Sequence, residues 1–378
     1  MKIACITPSR IPSGTANSIQ AVKASHALAA LGHTVRIFFP GGEAVRWEDL
    51  VDAYELSTRF EIAPLLANPR WKRYDFIWKS LREARAWQAD LIYTWLPQTA
   101  WLAGKRGLPA VLELHDRLTG MAGPWFFRGF LGLKTEKRLL VITRALQKAL
   151  EKQIHGTLDP RVVRIAPNGV DLERYDSLPE APGARALLDL PQKFTAVYTG
   201  HFYAGRGMNL LLELAGRLPE ISFLWIGGNP DDVNVWRSKV EAAGLTNVIL
   251  TGHVPKMKLP LYQAAADVLL MPYEKAIAGS SGGNSADICS PMKMFDYLAS
   301  GRVIVSSELP VLHEVLNIGN AIFCPPVNVD SWANTIREIQ ADPLQARLLA
   351  MQARQDAVRY SWLNRAKNAL EGMEETAI

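Results

Sequence analysis

At 378 residues and 48% hydrophobic content, the chain is too long for one ordinary core and predicts two domains of similar size. Three scattered cysteines, Cys5, Cys289 and Cys324, show no C-x-x-C or zinc spacing and fit a reducing compartment; no apolar run approaches a membrane span, and MKIACITPSR opens on a strand-like run instead of a secretory leader. The net charge of +5 hides an asymmetry, because residues 1–170 carry 24 Lys and Arg against 14 Asp and Glu, whereas residues 171–378 carry 18 against 23.

In chain order, KIACIT (2–7), TVRIFF (34–39), LIYTW (91–95) and AVLEL (110–114) are short apolar runs separated by helical stretches, the pattern of a parallel sheet built from βαβ units, and VVRIA (162–166) adds a strand. The loop after the first strand, residues 8–17, is long for a βα connection. It offers one glycine, Gly14, and an N-cap candidate in Asn17, and it lacks the three-glycine dinucleotide fingerprint, so a nicotinamide or flavin cofactor is not expected. Two segments mix aromatics with cations as interfacial segments do: Arg70, Trp71, Lys72, Arg73 and Tyr74 leading to Trp78, Lys79, Arg82 and Arg85, and Trp125 to Phe130 with Lys134, Lys137 and Arg138. With the basic first half they suggest an anionic lipid surface or a phosphorylated acceptor as partner; a solvated basic surface is the plainer alternative. Neither a stacking module nor a helix-turn-helix is visible, so nucleic acid is not an expected partner.

Asn168 to Asp171 and the Pro- and Ala-rich segment 178–193 read as turn and linker. A second strand series follows at 194–199, 222–227, 247–252, 267–272 and 302–306, predicting a second doubly wound domain, and residues 329–378 read as two or three helices. The expected fold is α/β, with two facing Rossmann-like domains and a ligand in the cleft at the strands' carboxyl ends. Boundaries are expected near 1–172, with a terminal helix of about 358–378 packing back on it, and 173–357.

Two stretches carry candidate chemistry. In TGHFYAGRGM (199–208), Gly200 and Gly207 let the backbone approach a ligand, and Arg206 stands before a helix start, where a guanidinium fork and the helix dipole favour phosphate oxygens together. In SPMKMFDYLASG (290–301), Ser290 is the expected N-cap and Pro291 the first helical residue, leaving the N–H groups of Met292 and Lys293 open. Met292, Phe295, Leu298 and Ala299 fall on one face, while Lys293, Asp296, Tyr297 and Ser300 fall on the other. Arg206 and Lys293 would flank one diphosphate. Read alone, Lys293–Asp296 is a solvated contact contributing tenths of a kcal/mol.

These residues also carry a resemblance. GHFYAGRGMNLLLELA resembles the GHLYxxKG loop of glycosyltransferase family 4, and NSADICSPMKMFDYLASGRVIVSSELPVLHEV resembles that family's donor-site motif in its SPLKLFEYMASG form. ELHDRLTG (113–120), NGVD (168–171) and TGHVP…LYQAAADVLLMPY (251–273) match in kind and order, so the resemblance runs from the first strand to about residue 316, with Ser361-Trp362 as a weaker echo. It implies the two-domain GT-B arrangement and transfer of a sugar from a nucleotide diphosphate donor with retention, the first domain taking the acceptor and the second the donor. It places Arg206 where Lys usually grips the diphosphate, with Lys293 assisting, and Asp296 on the ribose. His115 would lie near the donor sugar, His201 near the phosphates, and the backbone of Gly252, His253 and Val254 at the base.

One departure is that Ile288 replaces the first acid of the Glu-x7-Glu motif, with Asp287 one place off, which puts the donor sugar in doubt and opens a non-catalytic sugar-nucleotide binding protein as a rival. A GT-B nucleotide-sugar epimerase is the rival within the enzymes. No metal constellation appears: the seven histidines are dispersed, and Asp231-Asp232 is not Asp-x-Asp. No cofactor is expected beyond the nucleotide-sugar substrate. The expected setting is cytoplasmic, at the inner membrane face, with a glycolipid or saccharide acceptor.

Overall fold

The computed structural model describes residues 1–71, 73–277 and 284–373. The chain divides into two compact units: residues 1–168 joined by the segment from Trp362 onward, and Gly169–Ser361.

The first unit is built on β1 (Lys2–Ile6), β2 (Thr34–Pro40), β3 (Glu61–Leu65), β4 (Leu91–Thr94), β5 (Ala110–Leu114), β6 (Lys137–Val141) and β7 (Val163–Ile165). All pair in parallel in the order β3-β2-β1-β4-β5-β6-β7, so the winding direction reverses between β1 and β4. Central strands are apolar over almost their whole length because helices cover both faces. The helix Trp362–Leu370 packs on the helix Ala16–Ala30, and Trp362, Ala366 and Leu370 share a core cluster with Val22, Leu28, Ile37 and Leu50.

Two of these strands escaped the sequence reading for physical reasons. Pro64 argues against β3, yet the strand lies at the sheet edge, where a missing N–H need not break a ladder. β6 opens with Lys137 and Arg138, which had read as interfacial cations; Arg138 is in fact buried and donates to the Glu371 carbonyl at 2.6 Å. The helix expected to be capped by Asn17 begins two residues earlier than that cap implies, at Ala16, with Thr15 at the N-cap position.

The second unit carries β8 (Thr195–Gly200), β9 (Ser222–Gly227), β10 (Val248–Gly252), β11 (Val268–Met271), β12 (Val303–Ser307) and the unforeseen three-residue β13 (Ile322–Cys324). These are again parallel, in the order β10-β9-β8-β11-β12-β13. The reversal lies between β8 and β11. Those strands pair through Ala196–Val268 and Val197–Leu269 and then part, which leaves Thr199 N–H and Leu270 C=O facing a gap. The hydroxyl of Tyr297 fills it, accepting from Thr199 N–H at 2.9 Å and donating to the Leu270 carbonyl at 3.3 Å.

Tyr297 belongs to the helix Met292–Ser300, whose faces differ from the sequence reading. Tyr297 and Ser300 are buried, as is Met294, while Met292 is partly exposed. The helix also starts one residue later than expected: Pro291 is extended (φ −67°, ψ 128°) and occupies the N-cap position, so Ser290 is not the cap, although Gly301 closes the helix in the left-handed conformation.

Tyr297→Phe keeps the ring and strips the plug from the parted strands. It is expected to lower stability by about 1–3 kcal/mol, read as a lower urea midpoint at unchanged slope.

Candidate functional site: a cation pair without a counter-ion

In the second unit the candidate residues sit on three segments leaving the carboxyl ends of β8, β10 and β11. The loop after β8 is pressed against the chain itself. Gly205 and Gly207 have φ of +88° and +75°, and a Cβ on them would stand 2.4 Å from the Ala276 carbonyl and 1.9 Å from the Pro272 carbonyl. These glycines therefore dock the loop on the segment after β11, instead of opening the backbone to a ligand as expected for Gly207. Glu274 N–H bonds the Gly205 carbonyl at 3.1 Å, and Gly228 N–H bonds that of Gly200 at 3.0 Å. The loop is fixed before any ligand arrives.

That fixed loop carries Arg206, and Lys293 approaches from the first turn of the helix Met292–Ser300. A Cβ on Gly200 would lie 2.7 Å from Lys293 Nζ, so absence of a side chain there makes room for the ammonium. Lys293 keeps partial exposure along its stem, but its Nζ is out of water and has no hydrogen-bond partner. The solvated contact with Asp296 is therefore not formed. Around the two cations stand tyrosine rings: Lys293 Nζ lies 3.8 Å from the ring centre of Tyr198 and 5.4 Å from that of Tyr273, and Arg206 Cζ lies 4.7 Å from Tyr203 and 5.1 Å from Tyr273. Each such contact is worth about 0.5–2 kcal/mol and neutralises nothing.

Burial, and then the charge of Arg206, push the Lys293 ammonium well below the usual lysine range. Burial opposes the Arg206 charge too, but the phenolic oxygens of Tyr273 and Tyr203 outweigh it and push Arg206 up. Arg206 also donates to the Tyr203 hydroxyl. Among the described residues no carboxylate pairs with either cation.

The neighbouring candidates complete the segment ends. His201 is exposed, stacks on Tyr203 at 5.3 Å, and is pushed down by partial burial and by Arg206 and Lys293, with His253 adding in the same sense. Gly252, at the end of β10, has φ +70°, and His253 and Val254 follow it into the loop. Ser290 is buried and Met292 is partly exposed at the helix start, where the first N–H groups have no acceptor within the helix. Asp296 is partly exposed on the next turn; burial first and then the Asp296 charge push the phenol of Tyr175 up. Ile288 is packed inside and Asp287 is exposed, so the vacant acid position holds an apolar side chain.

Two candidates, Gly14 and His115, belong to the first unit. Gly14 is exposed in the loop after β1, with open space where a side chain would stand. His115 follows β5 and turns Nε2 to the Glu113 carboxylate, which Arg365 grips from the terminal helix with Nη2–Oε1 at 2.7 Å and Nη1–Oε2 at 3.1 Å. The Tyr93 hydroxyl donates to the same carboxylate. Burial raises the Glu113 carboxyl, but Arg365 and His115 outweigh burial and hold it below the usual range.

The family model described as Glycosyltransferase Family 4 matches residues 18–174, and that described as Glycosyl transferases group 1 matches residues 193–342. The chain belongs to glycosyltransferase family 4. Over 165 residues it is 30% identical to the putative teichuronic acid biosynthesis glycosyltransferase TuaH of Bacillus subtilis, covering 44% of this chain and 38% of that one. It is 25% identical to the 2-deoxystreptamine glucosyltransferase of Streptomyces kanamyceticus, over 86% of this chain and 89% of that one. The fold is similar to that of HepE from Anabaena, solved in complex with UDP, with a TM-score of 0.75 at 17% identity over 99% of this chain and all of that one. The two parallel sheets are thus those of a GT-B glycosyltransferase.

Sequence reasoning missed the tyrosine cage and the Glu113–Arg365 clamp of this transferase. Tyr203 lies inside the quoted loop motif and Tyr273 ends MPY, so both were visible without a role, whereas Arg365 stands 252 residues from Glu113 with no local signal.

Holding Lys293 unpaired destabilises the empty site. Lys293→Met is expected to raise unfolding stability by about 1–4 kcal/mol while weakening nucleoside diphosphate binding at least about tenfold, by urea unfolding and calorimetry respectively. The sign of the pH dependence follows. With the folded value below 10.5, the unfolded chain binds the extra proton in the interval beneath that value, so this contribution makes stability rise as pH rises towards 10.5, and the Met variant flattens that slope.

Proposed function

We propose that this glycosyltransferase moves a sugar from a nucleotide diphosphate donor to a hydroxyl acceptor, with retention and without a metal ion, in glycolipid or cell-envelope polysaccharide synthesis. The observation that carries the reading is the Arg206–Lys293 pair at the β8/β11 switch point, partly exposed as residues but with Lys293 Nζ out of water, fixed by tyrosines and backbone and lacking a carboxylate partner among the described residues. As the sugar–phosphate bond breaks, its electron pair leaves with the diphosphate, and preorganised cations meet that charge at no cost in reorganisation. These cations supply what a divalent ion supplies elsewhere, which supports metal independence. The departing oxygen takes the acceptor's proton on the face where the new bond forms, which gives retention. Burial and the neighbouring cations favour a neutral His201, able to hydrogen-bond a phosphate oxygen. In this reading Asp296 holds the ribose, the backbone of Gly252, His253 and Val254 holds the base, and Ser290 and Met292 frame the diphosphate at the helix start. Gly14 leaves room for the donor.

An anionic membrane surface is the proposed second partner, on the cytoplasmic side, with a glycolipid as its natural cargo. Support comes from an exposed aromatic patch on the helices Tyr74–Ala86, Pro97–Lys105 and Ala122–Leu131. Trp78 is 60% exposed, Trp125 58% and Met121 95%. Trp125 packs on Trp101 at 5.0 Å and Phe126 at 4.8 Å, while Arg106 lies 4.5 Å over Trp78 and Lys105 5.6 Å over Trp101. Aromatic faces with flanking cations match the headgroup zone of an anionic bilayer. Lys72, in the first of the basic segments, lies outside the described residues. Among the described residues no helix is long and apolar enough to cross a membrane.

Incubation with UDP-, GDP- and ADP-sugars, with and without lipid extract and chelator, is expected to release nucleotide from one donor when acceptor is present, chelator notwithstanding. Arg206→Ala and Lys293→Ala should each slow release at least about tenfold, and a double variant with full activity refutes the assignment; an epimerised sugar or bare binding refutes transfer. The protein should float with anionic vesicles at low salt and lose that with Trp78→Glu and Trp125→Glu; failure of the unaltered chain to float removes the membrane partner.

A further inference from the structure

The buried cluster around Glu113 has a consequence of its own for what His115 can recognise. Glu113 is 1% exposed and Arg365 6%, so the clamp is dry. Arg365 is itself locked, donating from Nε to the Pro167 carbonyl at 2.8 Å and from Nη2 to that of Ala166 at 3.2 Å, beyond the end of β7. An ionised carboxylate accepts and never donates. Everything facing Glu113 must therefore bring a proton: two N–H groups of Arg365, the O–H of Tyr93, and Nε2 of His115.

We infer that Arg365 is a positioning residue which, acting through Glu113, fixes the neutral His115 ring as its Nε2–H tautomer, so that Nδ1 meets the ligand as an acceptor and the group recognised there is a hydroxyl. A phosphoryl oxygen offers no proton to such a nitrogen, so His115 selects against anions while the second unit selects for them. The terminal helix thereby sets the chemistry of a loop more than 240 residues earlier in the chain. That the hydroxyl belongs to a sugar rests on the transfer reading above; the tautomer does not.

The test reads the tautomer directly. Protein labelled with 15N at histidine gives long-range proton–nitrogen spectra of the imidazoles at about pH 9, with the His115 signals assigned by their loss in His115→Gln. The expected result in the unaltered chain is a protonated Nε2 and a bare Nδ1. A protonated Nδ1 overturns the inference whatever the enzyme does. Arg365→Lys keeps the charge but loses the fork, and is expected to release the ring into a mixture with at least about one part in five Nδ1–H. A folded Arg365→Lys protein, by circular dichroism, with the ring still wholly Nε2–H removes Arg365 from the role. Should that variant not fold, Glu113→Gln, which can face the ring with either a donor or an acceptor, reads the same mixture, and an unchanged tautomer there overturns the proposal. If no nucleotide-sugar is consumed yet the tautomer is as expected, the transfer reading fails and the positioning role stands. In an active enzyme, Arg365→Lys should lower kcat at least about fivefold and leave binding of the free nucleoside diphosphate within about twofold; equal loss of both overturns the assignment of His115 to a hydroxyl.

Discussion

Everything at the loops after β8 and β11 depends on one interaction that is absent among the described residues: a counter-ion for Arg206 and Lys293. Buried charges are ordinarily paired, because taking an ion out of water costs several kcal/mol that a partner must return. Here the partners are the rings of Tyr198, Tyr203 and Tyr273, which hold the cations in place without neutralising them. Their geometry survives while the positive potential stays available to a ligand. Gly200, Gly205 and Gly207 belong to the same device, since side chains at these positions would collide with Lys293 or with the segment after β11.

The topology explains why such a place exists. In a parallel sheet wound in two directions the strands at the reversal separate, and their backbone groups lose ladder partners just where a ligand can enter. Between β8 and β11 the loss is repaired by one hydroxyl, that of Tyr297, which stands one helical turn from Lys293 on the same helix. The helix that closes the sheet's defect therefore also delivers the cation. Stability and charge placement are coupled in nine residues, with Met294, Phe295 and Leu298 anchoring the helix so that Lys293 cannot drift toward solvent.

Much of this was legible in the sequence, and the part that was not has a common cause. Apolar runs between helical stretches gave both sheets, and Arg206 and Lys293 announced themselves as cations beside helix starts. β3 and β6 were hidden because Pro64 and the Lys137-Arg138 pair contradict a central strand, a conflict resolved by an edge position and by a buried Arg138 reaching Glu371. The faces of the helix Met292–Ser300 were misassigned because Tyr297 and Ser300 look polar in a wheel, yet their hydroxyls are consumed by backbone carbonyls and an amide. The Glu113–Arg365 clamp was invisible because Arg365 lies in the last helix. Local pattern reports periodicity and caps; it says nothing of which distant residue satisfies a buried group.

The two units treat charge in opposite ways, and the contrast bears on how one chain handles a substrate with an anionic end and a neutral end. In the second unit the positive charge is left unbalanced, so attraction depends on the ligand's own charge. In the first unit Arg365 and Glu113 cancel, and Tyr93 and His115 fill the remaining carboxylate positions, so that what this cluster fixes is direction. A glycosyl diphosphate is divided in the same way, with its charge on the phosphates and its stereochemical information in hydroxyls. Under the proposed transfer reaction the uncompensated cation pair meets the leaving group, and the compensated cluster around Glu113 supplies discrimination.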